Sequence, residues 1–331
     1  MDDLDFLSLL SIYNGDSIFK LHHQRRKTTC QAMSQHPSVQ PNQPNQLIRM
    51  LPEHVWWQSI LQPFFNHQQL ALLRQANSFF EEYYQHVLQQ RTIHVPHDVQ
   101  SLQEAACVAT MWSKRMQLTQ AKPLLVVLSE GLHDMVGVQN TTLDIPCDNI
   151  VFRGQGKTKT TIGGGFKMDL IPTDAVLRAR FESLTVRNPQ GNGLEINGGP
   201  AAVCLFECAI HDCGKTGVVV SDSATMTATH CHFVSNQLAG VYCVCLVKVK
   251  FNNCTMSSNK QSGLTVNESK VDINGEHTSI HSNGKHGIRA CNNGKVNIHL
   301  PLHHKTTHSN AKQDQFQSTG GSIQYVTSSS T

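Results

Sequence analysis

Between residues 190 and 300 the chain alternates apolar and polar positions in short bursts, and each burst follows a glycine. The glycines are Gly193, Gly217, Gly240, Gly263 and Gly287, at intervals of 24, 23, 23 and 24. Behind them an apolar residue recurs at every second place: Leu194 and Ile196, Val218 and Val220, Val241 and Cys243, Leu264 and Val266, Ile288 and Ala290. A period of two predicts strands with one face buried and the other in water. Other columns keep the same register. Cys208, Cys231 and Cys254 are 23 apart, as are Ile210, Phe233 and Met256, while Asn236, Asn259 and Asn283 lie 23 and 24 apart.

A unit of 23 or 24 residues is too short for a propeller blade and lacks the 3.6 periodicity of helical repeats. What remains is a coil of short strands joined by tight turns, each strand pairing in parallel with its equivalent about 4.8 Å away. In such a stack an inward column must be apolar throughout. An Asn column at a bend can hydrogen-bond along the stack, and a Gly column permits turns that a Cβ would hinder. The expected fold is therefore an all-β, right-handed parallel β-helix, a single-stranded solenoid of about eight coils. Upstream, Thr92 to Val95 reads as a strand, and Asp98 is placed to cap a helix over 98–116. Leu102, Ala105, Ala106, Ala109 and Trp112 fall on one face of that helix. Strand, helix, then coils with a Gly154-Gln155-Gly156 turn resembles the start of pectin-lyase-like β-helices. On that reading the solenoid covers 92–310, and the Ser/Thr/Gln-rich tail 311–331 frays.

The segment before the solenoid has a different character. Residues 1–46 read as a disordered start and a linker, with His, Gln, Asn and Pro crowding 22–46. Within 47–91, Leu51-Pro52-Glu53 opens a helix-like stretch, followed by Ile60, Leu61, Phe64, Phe65, Leu70, Leu73, Phe79 and Phe80. About three short helices are expected here, a unit small enough to need a partner. Leu51-Pro52, the Ile60-Leu61 pair, Leu70-Ala71-Leu72-Leu73-Arg74 and Phe79-Phe80 resemble an F-box, over this segment only. The resemblance implies docking on a Skp-type adaptor of a cullin ubiquitin ligase core, through Leu51, Pro52, Ile60, Leu61, Phe64 and Leu73. The β-helix would then recruit a protein or glycan target. A helical hairpin packed on the solenoid is the plainer alternative.

Composition narrows the classes further. Charged residues are 15% of the chain, against roughly 25% in an ordinary soluble protein. A net charge of +3 gives no argument for nucleic acid or a membrane surface as partner. No apolar run reaches membrane-spanning length. The short stretch Leu4 to Ile12 is flanked by Asp2, Asp3 and Asp5 rather than by basic residues, so a secretory signal is not expected. Its leucines also match a nuclear-export spacing. Eleven cysteines, three of them in an inward column, suit free thiols and a cytoplasmic or nuclear setting.

No catalytic residues, metal or cofactor are expected from the sequence. Glycoside hydrolysis needs two carboxylates across the bond, but Glu195, Glu207, Asp212, Asp222, Glu268, Asp272 and Glu276 are scattered, with Asp212 placed in the Asn column. His286-Gly287-Ile288-Arg289 echoes part of a polygalacturonase motif, and Arg178, Arg180 and Arg187 have only Glu182 close in sequence. Gly154 to Thr158 lacks the first glycine of a phosphate loop, and Cys204, Cys208, Cys213 and His211 lack zinc spacing. His303, His304 and His308 read as solvated loop histidines. The outward stripe Glu195, Val219, Tyr242, Thr265, Arg289 is a candidate recognition surface, set against an ordinary mixed surface. The resulting expectation is a non-catalytic ligase adaptor. Its alternatives are a carbohydrate-active β-helix enzyme, lyase or hydrolase, and a structural repeat protein with no ligase link.

Overall fold

The computed structural model describes residues 91–113, 116–135, 142–169, 176–199, 201–299 and 306–326. These residues form a right-handed parallel β-helix of about eight turns. Each full coil contributes one strand to each of three parallel sheets, A, B and C in chain order. Among the described residues, sheet A has ten strands, from Thr92–Val95 to Ser322–Tyr325. Sheets B and C have eight each, running from Gly131–Asp134 to Thr307–His308 and from Thr142–Asp144 to Gln313–Gln317.

The apolar columns stack as their spacing demands. Ile210, Phe233, Met256 and Ile280 pair in register on sheet B, all with no exposed surface. Leu194, Val218, Val241, Leu264 and Ile288 stack in register on sheet C, all buried. On sheet A, Phe152 and Phe181 stack at 5.3 Å with Phe166 of sheet C against both rings. Cys208, Cys231 and Cys254 are buried, and their thiols donate to the carbonyls of Phe206, Thr229 and Asn252.

A second ladder runs through the bend between sheets B and C. Asn236 Nδ2 donates to Asn259 Oδ1 at 2.9 Å, Asn259 to Asn283 at 3.0 Å, and Asn283 to Asn310 at 2.9 Å. Each Oδ1 also accepts a backbone N–H from the neighbouring coil, as Asn259 does from Asn236 at 3.1 Å. Asp314 ends the chain of amides by accepting from Asn310 at 2.8 Å. The ladder thus satisfies backbone groups that a buried corner would otherwise orphan. Asp212 is not a member: Cys213 occupies that register, donating its N–H to Asn236. Asp212 instead has φ of 51°, in a left-handed column with Ser235, Ser258, Ser282 and Ser309.

The five repeat glycines serve space rather than conformation. A Cβ on Gly217 would lie 2.6 Å from the Gly240 carbonyl oxygen and 2.8 Å from Asn236 Nδ2. Glycine therefore lets the Asn ladder sit against the start of sheet C.

At the N-terminal end, helix α1 (Leu102–Ser113) places Leu102, Ala105 and Ala109 in the same core as Ile93 and Leu124. Its cap is Ser101, whose Oγ accepts from Glu104 N, while Glu104 accepts from Gln100 N. The expected cap, Asp98, instead accepts from His94 N at 2.7 Å. At the other end the tail does not fray at 311. Strands Gln313–Gln317 and Ser322–Tyr325 continue sheets C and A. There the interior closes with polar atoms: Gln315 Nε2 donates to Tyr325 OH at 3.1 Å and to Thr307 Oγ1 at 3.4 Å. A terminal coil with a polar inner face removes the sticky end that a solenoid otherwise presents.

The expected α-helical module ahead of the solenoid is corrected. Residues 47–90 lie outside the described residues, and the one helix among the described residues is α1.

A carboxylate at the centre of the sheet B column is expected to be costly. Phe233→Asp should lower stability by several kcal/mol, because the charge would be buried without a partner. Phe233→Leu, which leaves only a cavity, should cost less. Urea unfolding of the two variants checks this; equal midpoints for Phe233→Asp and the parent protein would show that the column does not face inward.

Candidate functional site on the outer face of sheet A

The residues singled out in the sequence are separated by the fold. Glu195, Val219, Tyr242, Thr265 and Arg289 do form one register line on the outer face of sheet C. Lys167 and Phe316 extend it at either end. Thr265 is 9% exposed, sunk between its larger neighbours, so the line is interrupted. Cys208 and Cys213 face the core while Cys204 is exposed on sheet A, so they do not meet around a metal. No group of three ligating side chains occurs among the described residues. The arginines are neutralised: Arg153 and Arg180 both bond Glu182 at 2.6 Å, Arg178 bonds Asp148, and Arg187 faces Asp212 at 3.7 Å. His286 stacks flat on Phe316 at 4.6 Å. His308 is not a loop residue; it lies in a strand with its ring stacked 5.0 Å from His281. Burial and the neighbouring His308 lower the His281 pKa. Lys157 of the Gly154–Lys159 loop reaches His232 Nε2 at 3.2 Å.

A different constellation stands on sheet A, on strands Lys248–Asn252, Lys270–Asn274, Lys295–Ile298 and Ser322–Tyr325. Val249, Phe251, Val271, Ile273, Val296 and Ile298 point inward and are buried. Alternation then turns the residues between them outward. The registers fix the outward columns. Lys248, Lys270, Lys295 and Ser322 form one, and Lys250, Asp272, Asn297 and Gln324 the next. Asn252, Asn274 and His299 occupy the third outward position of successive coils. Columns of neighbouring coils are about 4.8 Å apart, and outward residues on one strand roughly 6.7 Å apart. Lys248, Lys250, Lys270 and Lys295 are exposed, and none is in an ion pair among the described residues. Lys250 stands in the Asp272 column one coil earlier and Lys270 two residues before it, with Lys248 and Lys295 on the diagonals.

Asp272 is tied into this surface through one oxygen. Its Oδ1 accepts from Asn297 Nδ2 at 2.8 Å and from His299 Nε2 at 3.1 Å. Gln324 Nε2 in turn donates to Asn297 Oδ1 at 2.8 Å, fixing the amide's orientation. Partial burial is the largest influence on the Asp272 carboxyl and works upward. The bonds from Asn297 and His299 and the charges of Lys270 and His299 outweigh it, holding the pKa below the usual carboxylate value. With Nε2–H committed to Asp272, the imidazole presents Nδ1 as its proton acceptor. In the sequence Asp272 is one of several scattered acids, and the lysines and His299 belong to no column of the 23–24 period. Their signal was a short recurring phrase: Lys248-Val-Lys-Phe-Asn, Lys270-Val-Asp-Ile-Asn, Lys295-Val-Asn-Ile-His. Its intervals of 22 and 25 break the 23–24 period, because the corners before each strand differ in length.

A family model described as a right handed beta helix region matches residues 171–302. Among solved structures the chain is similar to Geobacillus virus E2 ORF18 at 12% identity and a TM-score of 0.47, covering 71% of this chain and 51% of that one. This chain spans about half the length of that viral protein. It is also similar to the pectin methylesterase from carrot, at 12% identity and a TM-score of 0.39, covering 72% of this chain and 88% of that one. For pectin methylesterase PemA from Erwinia chrysanthemi the values are 10% and 0.39, with coverage of 71% and 92%. The search of curated proteins gave no match.

The comparisons correct the adaptor reading. The family model recovers the β-helix over residues 171–302, and neither it nor the described residues support an F-box module. Partnership with a Skp-type adaptor and cullin core through Leu51, Pro52, Ile60, Leu61, Phe64 and Leu73 is withdrawn; those residues lie outside the described ones. The expectation of a non-catalytic chain is withdrawn with it.

The depressed Asp272 pKa has a defined consequence for stability. A carboxylate held below its unfolded value of about 3.9 contributes stability above that pH and loses it as pH falls through the folded value. Thermal melts of Asp272→Asn should therefore fall slightly below the parent protein at neutral pH, with the gap closing in acid. A gap that widens on acidification would contradict the assignment.

Proposed function

We propose that this β-helix is a carbohydrate-active protein whose substrate is an acidic polysaccharide lying along the outer face of sheet A. The observation that carries the reading is the grid of exposed lysines, Lys248, Lys250, Lys270 and Lys295, on a parallel sheet. Three of them repeat at the spacing of adjacent strands, which is comparable to the length of one pyranose unit in an extended glycan. A polymer with one carboxylate per sugar can then place successive charges over successive coils. Like charges stacked in register destabilise a sheet, so a column of three lysines needs a reason beyond folding. Attraction to a polyanion supplies one. Upstream on the same face, Thr225, Thr227 and Thr229 carry hydroxyls, and Phe206 is an exposed ring 37% accessible. Hydroxyls and an aromatic face suit the neutral parts of a sugar chain.

Binding of unesterified polygalacturonate to the full chain should be salt-sensitive, since the Debye length falls to about 3 Å at 1 M. Exposed ion pairs contribute about 0.2–1 kcal/mol each. The triple variant Lys248→Ala, Lys270→Ala, Lys295→Ala should therefore bind roughly tenfold more weakly while melting normally. Titration calorimetry against this polymer and a neutral glucan measures the affinities, and a thermal melt checks the fold. Equal affinity of parent and triple variant, or preference for the neutral glucan, would reject the reading.

A further inference from the structure

We infer that the outer face of sheet C, with the corner leading into it, binds single-stranded nucleic acid, its bases stacked on Tyr242, Arg289 and Phe316 and its phosphates held by Lys285 and Lys312. This surface is separate from the lysine grid of sheet A and does not rest on the polysaccharide reading. Register sets the order along the solenoid axis: Tyr242, Thr265, Arg289, Phe316. Thr265 is 9% exposed and floors a recess between Tyr242 and Arg289, which stand two strand spacings, about 9.6 Å, apart. A base entering there meets a phenol on one side and a guanidinium plane on the other, and both stack on aromatic rings. A sugar ring would have only the phenol to lie against. Beyond Arg289, the His286 ring stacks on Phe316 at 4.6 Å and 18°. Phe316 belongs to the last described strand of sheet C, so among the described residues no further coil covers its outer side.

The corner between sheets B and C supplies the charge. Lys312 N donates to Lys285 O at 2.8 Å and Lys285 N to Gln261 O at 2.9 Å, which stacks these positions in one column. Lys260, the residue before Gln261, stands one coil earlier beside that column and is exposed. With Arg289 these make four cations, none of them in an ion pair among the described residues. Asp314, two residues after Lys312, is already engaged: its Oδ1 accepts from Asn310 N at 3.2 Å and from Asn310 Nδ2 at 2.8 Å. The cations converge on His286. Burial, then the charges of Arg289, Lys312 and Lys285, lower its pKa, so the ring stacked on Phe316 is neutral near pH 7. Single strands are bound by this pairing of parts, a track of cations for the backbone and flat groups beside it for the bases. A net charge of +3 conceals such a face, because it sums charges that the coils keep apart.

The test follows the fluorescence anisotropy of labelled oligo(U) and oligo(dT) with the full chain over a range of salt. Inorganic polyphosphate serves as a competitor that carries the charge without the bases. Both oligonucleotides should bind, more weakly as salt rises. Tyr242→Ala and Phe316→Ala should each weaken binding about 5- to 150-fold, while Tyr242→Phe binds as the parent does. Should Phe316→Ala melt lower because His286 loses its stacking partner, Tyr242→Ala against Tyr242→Phe decides the role of the rings. Lys285→Ala and Lys312→Ala should each lower the slope of log affinity against log salt by about 1. The sheet A variant Lys248→Ala, Lys270→Ala, Lys295→Ala should bind the oligonucleotides normally, and Tyr242→Ala should bind polygalacturonate normally. Unchanged oligonucleotide affinity in Tyr242→Ala, or polyphosphate competing as well as unlabelled oligonucleotide, would overturn the inference in favour of a surface for anions at large. Binding lost in the sheet A variant would overturn it by placing the strand on sheet A. A parent protein that binds neither oligonucleotide would overturn it and leave the polysaccharide reading standing.

Discussion

Equivalent residues of successive coils are held directly over one another by parallel strand pairing, and almost every other property of this molecule follows from that. A coil has no stable alternative register, because a shift of one residue would turn Phe233, Met256 and Ile280 to water and bring polar neighbours inside. The asparagine ladder reinforces the constraint at the sharpest bend. Asn236, Asn259 and Asn283 are buried, and each donates to the amide oxygen that the next coil presents at the same height. Gly217, Gly240, Gly263 and Gly287 are a consequence, since the ladder occupies the space where their Cβ atoms would stand.

The same stacking governs the outside, where it concentrates chemistry instead of hiding it. A lysine placed once per coil becomes a line of charge, and an acid placed in the adjacent column meets amides and an imidazole from the following coils. Asp272, Asn297, His299 and Gln324 come from three strands spread over more than fifty residues of sequence, yet form one hydrogen-bonded line. Parallel pairing supports such a line, because Asp272 and Asn297 each stand between two buried residues of their own strand. By contrast the arginine cluster nearer the N-terminus is internally neutralised around Glu182 and reads as structural.

Both ends of the stack are closed by different means. Helix α1 covers the first coils with small and aliphatic side chains, while the last coil replaces apolar residues by Gln315, Thr307 and Tyr325 bonded across the interior. A polar closing layer is harder to recognise than a helix. In the sequence its Ser, Thr and Gln content resembles that of a frayed tail, although Ile323 still packs on the core.

What the residues alone determined is the solenoid: the glycine, cysteine, aliphatic and asparagine columns each repeat at nearly constant spacing, and only a stacked coil puts such columns to use. The site could not be read in the same way, because the strands of sheet A follow corners of unequal length, and intervals of 22 and 25 concealed that Lys248, Lys270 and Lys295 share a column. Nor could spacing show that Asp272 and His299, 27 positions apart, would meet at one oxygen. Repetition reveals what every coil must have in common. Function depends on where one coil differs from the next, and those differences acquire meaning only once the register between strands has placed them side by side.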